Sequence, residues 1–157
     1  MPNVWRLIAH HDDPAGVVSL IRRTGQIRIG WGDVGDLSQS SYRSTREISQ
    51  AIWQVYPGST NFRFGGASLW RFYHETQIGD LVIISSKQGR QLTVKVTGPY
   101  QWQAAPGPAP LTPDYQHFRT VSLTNLNPDT VFAQAGGMAA GENSRWALFR
   151  CANPVIP

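Results

Sequence analysis

The sequence predicts one α+β domain, with a curved or barrel-like mixed β-sheet of about six strands flanked by three or four short helices. Three observations support this prediction. The length of 157 residues suits a single hydrophobic core, so we assign residues 1–157 to one domain. Apolar residues make up 41% of the chain, which is ordinary for a globular protein. Short runs of β-branched and aromatic residues are interleaved with helix-start and helix-stop signals, as is typical of mixed folds.

The N-terminal part predicts a strand, a helix and a second strand. Val4–Ala9 is rich in β-forming residues, and Gln26–Trp31 begins with alternating apolar and polar side chains. Between them we expect a helix over Pro14–Arg23, because Asp13 can cap its first turn and proline suits the first helical position. Gly25 can end this helix in a left-handed conformation.

The next part predicts two helices joined by a loop. Ser44 and Glu47 have the spacing of a capping box, which opens a helix that we expect to reach Tyr56. A proline and a glycine follow and end it. We expect a loop over Ser59–Gly66 and a short helix over Ala67–Glu75.

The C-terminal half predicts the centre of the sheet. Leu81–Ser86 is solidly apolar and should form a central strand, and Lys87–Arg90 is a turn that leads to a return strand over Gln91–Gly98. Gln103–Pro113 is rich in proline, alanine and glycine, so we expect an exposed loop. Three shorter elements complete the prediction: a strand over Phe118–Leu123, a helix over Pro128–Gln134 and a last strand over Arg145–Cys151.

The charge pattern favours an anionic partner. The chain carries a formal net charge of +4 and has a pI of about 9.6. Only Lys87 and Lys95 are lysines, so twelve of the 14 basic residues are arginines, whose planar fork suits phosphates and base edges. Six tryptophans accompany them, and aromatic side chains next to arginines are typical of nucleic-acid binding. A mild excess that only serves solubility is the alternative.

Several kinds of catalytic or metal site are excluded. Cys151 is the single cysteine, so neither a disulfide framework nor a cysteine-based metal cluster is possible. The histidines follow no metal-binding spacing: they are His10, His11, His74 and His117. Gly30, Gly32 and Gly35 match a dinucleotide-binding spacing, but the next predicted helix begins only near Ser44, so we reject that site. The chain also lacks a Walker loop, a nucleophile elbow and a nuclease histidine–asparagine cluster.

These exclusions predict a non-catalytic protein with no cofactor and no metal. The longest apolar runs fall well short of the roughly 20 residues that span a bilayer, and the N-terminus lacks a signal-peptide pattern. Together with the lone cysteine, these features favour a cytoplasmic protein with no membrane partner.

Trp31 is the most distinctive candidate for a binding residue. It lies between Gly30 and Gly32, at the expected end of the second strand, so its neighbours in the chain cannot cover its ring. Asp33 and Asp36 follow as acceptors for a base amino group. An open pocket with aromatic walls and a few polar groups is what an unstacked base requires.

The ordered motifs VWRLIA, IRIGWGDVGDLS, LWRFYHETQIGDLVII, VKVTGPYQW and HFRTVSL resemble an EVE-like domain of the PUA superfamily, to which YTH domains are closely related. The resemblance covers roughly residues 4–151. It implies a PUA-like curved sheet or barrel. Domains of this type occur at the N-terminus of modification-dependent restriction endonucleases, where they read modified bases and a separate nuclease domain cuts.

The resemblance also implies a set of site residues. Trp31 would form one wall of a base pocket, and a second aromatic would come from Tyr100, Trp102 or Tyr115. With the residue-level arguments, the expected base pocket comprises Trp31, Gly32, Asp33, Trp70, Ser85, Ser86, Tyr100 and Trp102. The expected contacts to the nucleic-acid backbone are Arg28, Arg43, Arg46, Arg63, Lys87 and Arg90.

The function expected first is recognition of 5-methylcytosine or 5-hydroxymethylcytosine in double-stranded DNA, by flipping the base into this pocket. The domain would then provide the specificity of a restriction system, with a nuclease or motor domain downstream. Two alternatives stay open. One is a YTH-like reader of N6-methyladenine or another modified base in RNA, and the other is a sensor or enzyme for a free nucleobase or nucleotide.

Overall fold

The computed structural model of the chain describes residues 1–8 and 13–156. Within these residues the fold is α+β, as predicted, with six strands in one mixed sheet and four α-helices. The strands are β1 (Val4–Ile8), β2 (Gln26–Ile29), β3 (Leu81–Ser86), β4 (Gly89–Trp102), β5 (His117–Leu123) and β6 (Leu148–Arg150). The helices are α1 (Pro14–Thr24), α2 (Thr45–Val55), α3 (Phe62–Trp70) and α4 (Pro128–Gln134), with a 3-10 turn at Gly32–Val34 and a π-helical turn at Arg71–Glu75.

The strands are arranged in the order β2-β5-β4-β3-β1-β6. β1 and β3 are parallel, and the other neighbouring pairs are antiparallel. In the described part of the chain no pairing joins the edge strands β2 and β6. The sheet therefore stays open, and the barrel-like alternative of the prediction is not realised.

Strand β4 gives the sheet its curvature. It pairs with β3 from Gly89 to Lys95 and with β5 from Val94 to Trp102, and the register with β5 shifts between Val96 and Tyr100. Such a bulge bends a strand and increases its twist. The prediction ended this strand at Gly98, but it continues to Trp102 because the bulge lets pairing with β5 resume.

Both faces of the sheet are covered. On one face, Trp5, Leu7 and Ile84 belong to a large core that also takes in the buried sides of α1, α2 and α3. On the other face, Val4, Leu81 and further apolar side chains pack with α4 and the C-terminal segment. Each large apolar side chain buried in this way contributes roughly 1.5–3 kcal/mol. The two layers hold the strand ends around the site in place.

The predicted helix caps are confirmed. The Asp13 side chain accepts a hydrogen bond from Gly16 N at 3.0 Å, and the Ser44 side chain accepts one from Glu47 N at 3.3 Å. Gly25 follows α1 in the left-handed conformation, with φ 65°. The helix boundaries near these caps were predictable because capping depends on local residues.

Other boundaries differ from the prediction. α3 begins at Phe62, so the loop expected over Ser59–Gly66 is wrong for its second half. A Cβ on Gly65 would lie 2.7 Å from Ile52 Cδ1, and one on Gly66 would lie 1.9 Å from Ser49 Oγ. The two glycines thus permit α3 to pack closely on α2, and this tertiary contact outweighs their low helix propensity.

Strands β2 and β6 are also shorter than predicted. The last strand covers Leu148–Arg150 rather than Arg145–Cys151, although Cys151 still pairs with Met138 through an isolated bridge. β2 ends at Ile29, two residues before Trp31. The expected end of the first strand at Ala9, and His10 and His11, lie outside the described residues.

Candidate functional site

Trp31 follows β2 in a left-handed backbone conformation, with φ 61° and ψ 35°. Among the described residues it is the only non-glycine with positive φ. For an L-residue this conformation costs roughly 1–2 kcal/mol, because Cβ crowds the following carbonyl oxygen. The surrounding structure must therefore hold Trp31 in place.

The peptide groups around Trp31 are tied to the loop before β5. Trp31 N donates to Asp114 Oδ2 at 3.2 Å, and Gly32 N donates to the backbone oxygen of Asp114 at 2.7 Å. The Gly32 carbonyl accepts a hydrogen bond from Trp102 Nε1 at 2.9 Å. Because these bonds fix both peptide groups, the left-handed turn is preorganised.

A buried imidazole holds the Trp31 carbonyl. His117 Nε2 lies 3.1 Å from Trp31 O, and His117 Nδ1 lies 2.7 Å from Tyr100 Oη. A carbonyl can only accept, so Nε2 carries the proton and Tyr100 donates its O–H to Nδ1. Tyr100 Oη also accepts from Leu37 N at 3.0 Å. Burial lowers the pKa of His117 to about 4, so the imidazole is neutral at physiological pH.

The Trp31 side chain, about half-buried, lines two adjoining hollows that we call together the Trp31 cleft. The inner hollow has a volume of about 180 Å³ and is lined by Ile8, Ile29, Gly30, Trp31, Asn61, Asp114, Tyr115 and Ala147. The outer hollow measures about 490 Å³ and is lined by Trp31, Tyr56, Pro57, Gly58, Ser59, Asn61 and Asp114. The cleft thus combines aromatic walls, apolar surface and the polar side chains of Ser59, Asn61 and Asp114.

The curvature of the sheet creates this cleft. Ile8 ends β1, which lies next to one edge of the sheet, and Gly30 follows β2 at the opposite edge. Both line the inner hollow. Among the described residues, Asn61, Ala147 and the Asp114–Tyr115 segment line the space between these strand ends together with Trp31.

The glycines beside Trp31 have different functions. A Cβ on Gly30 would lie 3.4 Å from Tyr115 Cε1 and would narrow the cleft. A Cβ on Gly32 would lie 2.4 Å from the backbone oxygen of Asp114, so Gly32 permits packing behind the cleft. A Cβ on Gly65 would lie 2.7 Å from Trp31 Cε2. The indole therefore rests against α3 on one side. We expected a ring left bare between two glycines, but in the structure Gly65 of α3 covers one side of it.

Tyr115 is the second aromatic of the inner hollow, and Tyr56 is a further aromatic in the outer one. The sequence left Tyr100, Trp102 and Tyr115 open for this position, and of the three only Tyr115 lines either hollow. Tyr100 and Trp102 instead support the backbone at Trp31 and Gly32 from behind. Both thus position the cleft without forming its wall.

The structure does not bring the other expected pocket residues into the cleft. Trp70 packs on His74, with ring centroids 4.4 Å apart, and lines neither hollow. Ser85 pairs with the end of β1, and Ser86 lies at the β3–β4 turn. Asp33 is exposed in a neighbouring hollow of about 430 Å³, and its N–H donates to Tyr56 Oη.

The expected backbone-contacting cations fall into three groups. Arg28 and Arg90 are engaged within the protein: Arg28 donates to Tyr115 O at 2.9 Å, and Arg90 forms an ion pair with Asp129 at 3.0 Å. Arg43 and Lys87 are exposed outside the cleft.

Arg46 and Arg63 form the third group. They line a groove of about 630 Å³ that we call the arginine groove, which is lined by Thr45, Arg46, Ser49, Gln50, Phe62, Arg63, Phe64, Ala67 and Trp146. The groove and the Trp31 cleft are lined by residues that are neighbours in the sequence. Asn61 and Ala147 line the cleft, and their neighbours Phe62 and Trp146 line the groove.

Sequence reasoning missed Asn61 and Asp114, the two polar side chains that line both hollows. Asp114 lies 83 positions from Trp31 in a segment that reads as a loop. The available sequence signal was Thr112-Pro113-Asp114, which is typical of a turn. The side chain of an aspartate in a turn commonly accepts a hydrogen bond from a nearby backbone N–H.

The part of the chain that the structure describes holds neither a metal-binding cluster nor a membrane-spanning helix. In the described residues no group of three or more histidine, cysteine, aspartate or glutamate side chains could hold a metal ion. No described helix is long and apolar enough to cross a membrane.

The comparisons with known proteins identify the family alone. A comparison with curated proteins found no match. The sequence profile of the family described as a domain of unknown function (DUF8426) matches residues 5–136, which span β1 to the end of α4. This range contains Trp31, Asp114, Tyr115 and His117, and because it covers most of the chain, the protein belongs to the DUF8426 family.

Proposed function

We propose that this domain binds nucleic acid and accommodates a flipped, modified base in the Trp31 cleft, with 5-methylcytosine or 5-hydroxymethylcytosine in double-stranded DNA as the expected target. The observation that carries the proposal is that Trp31 and Tyr115 line one partly open cleft, together with Asp114 and Asn61. An aromatic platform with a few convergent polar groups is suited to an extruded base.

The energetics require both stacking and backbone contacts. Extruding a base costs a few kcal/mol. Stacking on an aromatic side chain returns roughly 1–3 kcal/mol. Cationic contacts to phosphates must supply the remainder, and they weaken as salt rises. The arginine groove offers Arg46 and Arg63 beside the cleft, without acidic residues in its lining.

The lining of the cleft favours a methylated base. Ile8, Ile29 and Ala147 provide apolar surface in the inner hollow. Fully burying one methyl group contributes about 0.8 kcal/mol. The expected preference for a methylated over an unmodified base is therefore a few-fold, unless the fit is tight.

We further propose that the fold is EVE-like within the PUA superfamily and that the domain is non-catalytic and cytoplasmic. It would supply specificity to a modification-dependent restriction system. The resemblance of its motifs to those of EVE-like domains supports this assignment, and the mixed, curved sheet is compatible with it.

The experiment compares Trp31→Ala with Trp53→Ala. Trp53 is exposed on α2 and lines neither the cleft nor the groove, so it is the matched control. Fluorescence anisotropy would measure Kd for duplexes that carry cytosine, 5-methylcytosine or 5-hydroxymethylcytosine at one position. We expect the wild type and the Trp53 variant to prefer a modified duplex, and the Trp31 variant to fold but lose that preference.

Two outcomes would contradict the proposal. An unchanged preference for the modified duplex in Trp31→Ala would show that the cleft does not recognise the base. Tighter binding to RNA that contains N6-methyladenine, measured in the same assay, would favour the YTH-like alternative over a DNA reader.

A further inference from the structure

We infer that Asp114 makes the Trp31 cleft selective for a base with an exocyclic amino group, so that among 5-methylated pyrimidines it takes 5-methylcytosine and rejects thymine. This inference rests on the proposed function and adds the chemical basis of specificity. Asp114 was not among the residues expected from the sequence.

The position of Asp114 is the first argument. Its side chain lines both hollows of the Trp31 cleft and the neighbouring hollow next to Asp33. It is about half-buried, and no described cation forms an ion pair with it. The carboxylate is therefore available to a ligand in the cleft.

The hydrogen bonds of Asp114 orient its carboxylate and leave acceptor capacity. Oδ2 accepts from Trp31 N at 3.2 Å, and Oδ1 accepts from Thr112 Oγ1 at 2.6 Å. Each carboxylate oxygen can accept a second hydrogen bond. Because both bonds come from the protein, the carboxylate is fixed before a ligand arrives.

The chemistry of an ionised carboxylate supplies the discrimination. It accepts hydrogen bonds and cannot donate one. Cytosine presents an amino group at C4, whereas thymine presents a carbonyl oxygen there. Thymine has a donor only at N3, between two carbonyl oxygens that repel an approaching carboxylate. An amino-bearing pyrimidine is therefore bound and its oxo counterpart is disfavoured.

The charge distribution also orients the ligand. A phosphate is repelled by the Asp114 carboxylate and attracted by Arg46 and Arg63 in the arginine groove. Asp114 lines the Trp31 cleft, whereas Arg46 and Arg63 line the arginine groove. The base edge thus faces Asp114 while the backbone runs past the arginines.

The test uses Asp114→Asn. An asparagine can still accept from Trp31 N and can donate to Thr112 Oγ1, so it retains both observed contacts. It presents a donor as well as an acceptor to the ligand. Asp33→Asn is the matched control, because it removes the same charge from an exposed carboxylate outside the cleft.

The two ligands are duplexes that differ only in carrying 5-methylcytosine or thymine, each opposite an abasic site. The abasic site removes the pairing energy, and both bases carry the 5-methyl group. We expect the wild type and the Asp33 variant to bind the 5-methylcytosine duplex about five- to tenfold more tightly than the thymine duplex. In Asp114→Asn this ratio should fall to about one.

The outcomes distinguish the inference from the proposed function. A wild-type ratio near one, or an unchanged ratio in Asp114→Asn, would overturn the inference and leave a base-binding cleft in place. Equal loss of the ratio in Asp33→Asn would also overturn it, because net charge would then explain the effect. Wild-type protein that binds none of the duplexes would overturn both.

Discussion

His117 Nε2 lies 3.1 Å from the carbonyl oxygen of Trp31, and this contact joins the sheet to the strained turn of the candidate site. The imidazole is fully buried at the start of β5, where its Nδ1 accepts a hydrogen bond from the hydroxyl of Tyr100 on β4. On the other side, the N–H of Trp31 donates to Asp114, so the left-handed backbone conformation is held from both sides. The backbone that carries the indole is therefore held by the buried start of β5 and by the loop before it.

Replacing His117 with alanine should destabilise the protein and loosen Trp31. The change leaves the Trp31 carbonyl without its imidazole partner, and each buried polar group left unpaired costs roughly 1–3 kcal/mol. Urea unfolding should report a loss of about 2–4 kcal/mol when the new cavity is included. His74→Ala is the control, since His74 is exposed. Equal losses in both variants would contradict the role of the bridge.

Acid should destabilise the protein through His117. Burial holds its pKa at about 4, below the value of about 6.5 in an unfolded chain. Between these pH values the unfolded state binds more protons, so the free energy of unfolding falls as pH falls. The full contribution is present above about pH 6.5, and at most about 3 kcal/mol is lost by pH 4.

Urea titrations at several pH values should measure this effect. His117→Gln is the reference, because glutamine can still hydrogen-bond but does not titrate in this range. We expect the difference in unfolding free energy between wild type and variant to shrink from pH 7 to pH 4. A difference that is independent of pH would exclude a depressed pKa for His117.

The helix caps and the strands of the core were predictable because they depend on neighbouring residues. Asp13 with Pro14, and Ser44 with Glu47, mark the helix starts within one turn. Leu81–Ser86 was predicted at its observed bounds, since a continuous apolar run indicates a strand buried on both faces.

The candidate site was less predictable because its geometry depends on distant contacts. Trp31 was expected on a strand, but bonds to Asp114 and His117 hold it in a left-handed turn. Tyr100 and Tyr115 are equally aromatic in the sequence. Only the path of the loop before β5 brings Tyr115 into the cleft and leaves Tyr100 behind it.

The arginine groove should carry part of the salt dependence of DNA binding. Each phosphate contact that is lost lowers the slope of log Kobs against log salt by about 0.9. We expect Arg46→Gln and Arg63→Gln each to reduce the magnitude of this slope by about one, with the preference for the modified base retained. Arg90→Gln should leave the slope unchanged, since Arg90 is paired with Asp129 and stacks on Phe132. Slopes that change equally in all three variants would indicate only a general effect of net charge.

Gly65→Ala should displace the Trp31 indole without altering any residue that lines the cleft. A Cβ at this position would lie 2.7 Å from both Trp31 Cε2 and Ile52 Cδ1, closer than real Cβ contacts. Both the indole and the Ile52 side chain therefore have to shift, and displacement of the indole should weaken binding to a modified duplex. Alanine favours helix by about 1 kcal/mol relative to glycine, but the close contact with the buried Ile52 outweighs this gain, so Gly65→Ala should also lower the free energy of unfolding.

A second substitution separates this steric effect from a general loss of packing. Trp31→Ala removes the whole indole, including the atoms Cε2 and Cδ2 that meet the new methyl group. We expect the Gly65→Ala, Trp31→Ala double variant to bind the modified duplex about as well as Trp31→Ala alone. Such coupling is typical of two residues in direct contact. If the two losses in binding free energy simply add, Gly65 does not act through the Trp31 ring, and α3 is not the support of the cleft.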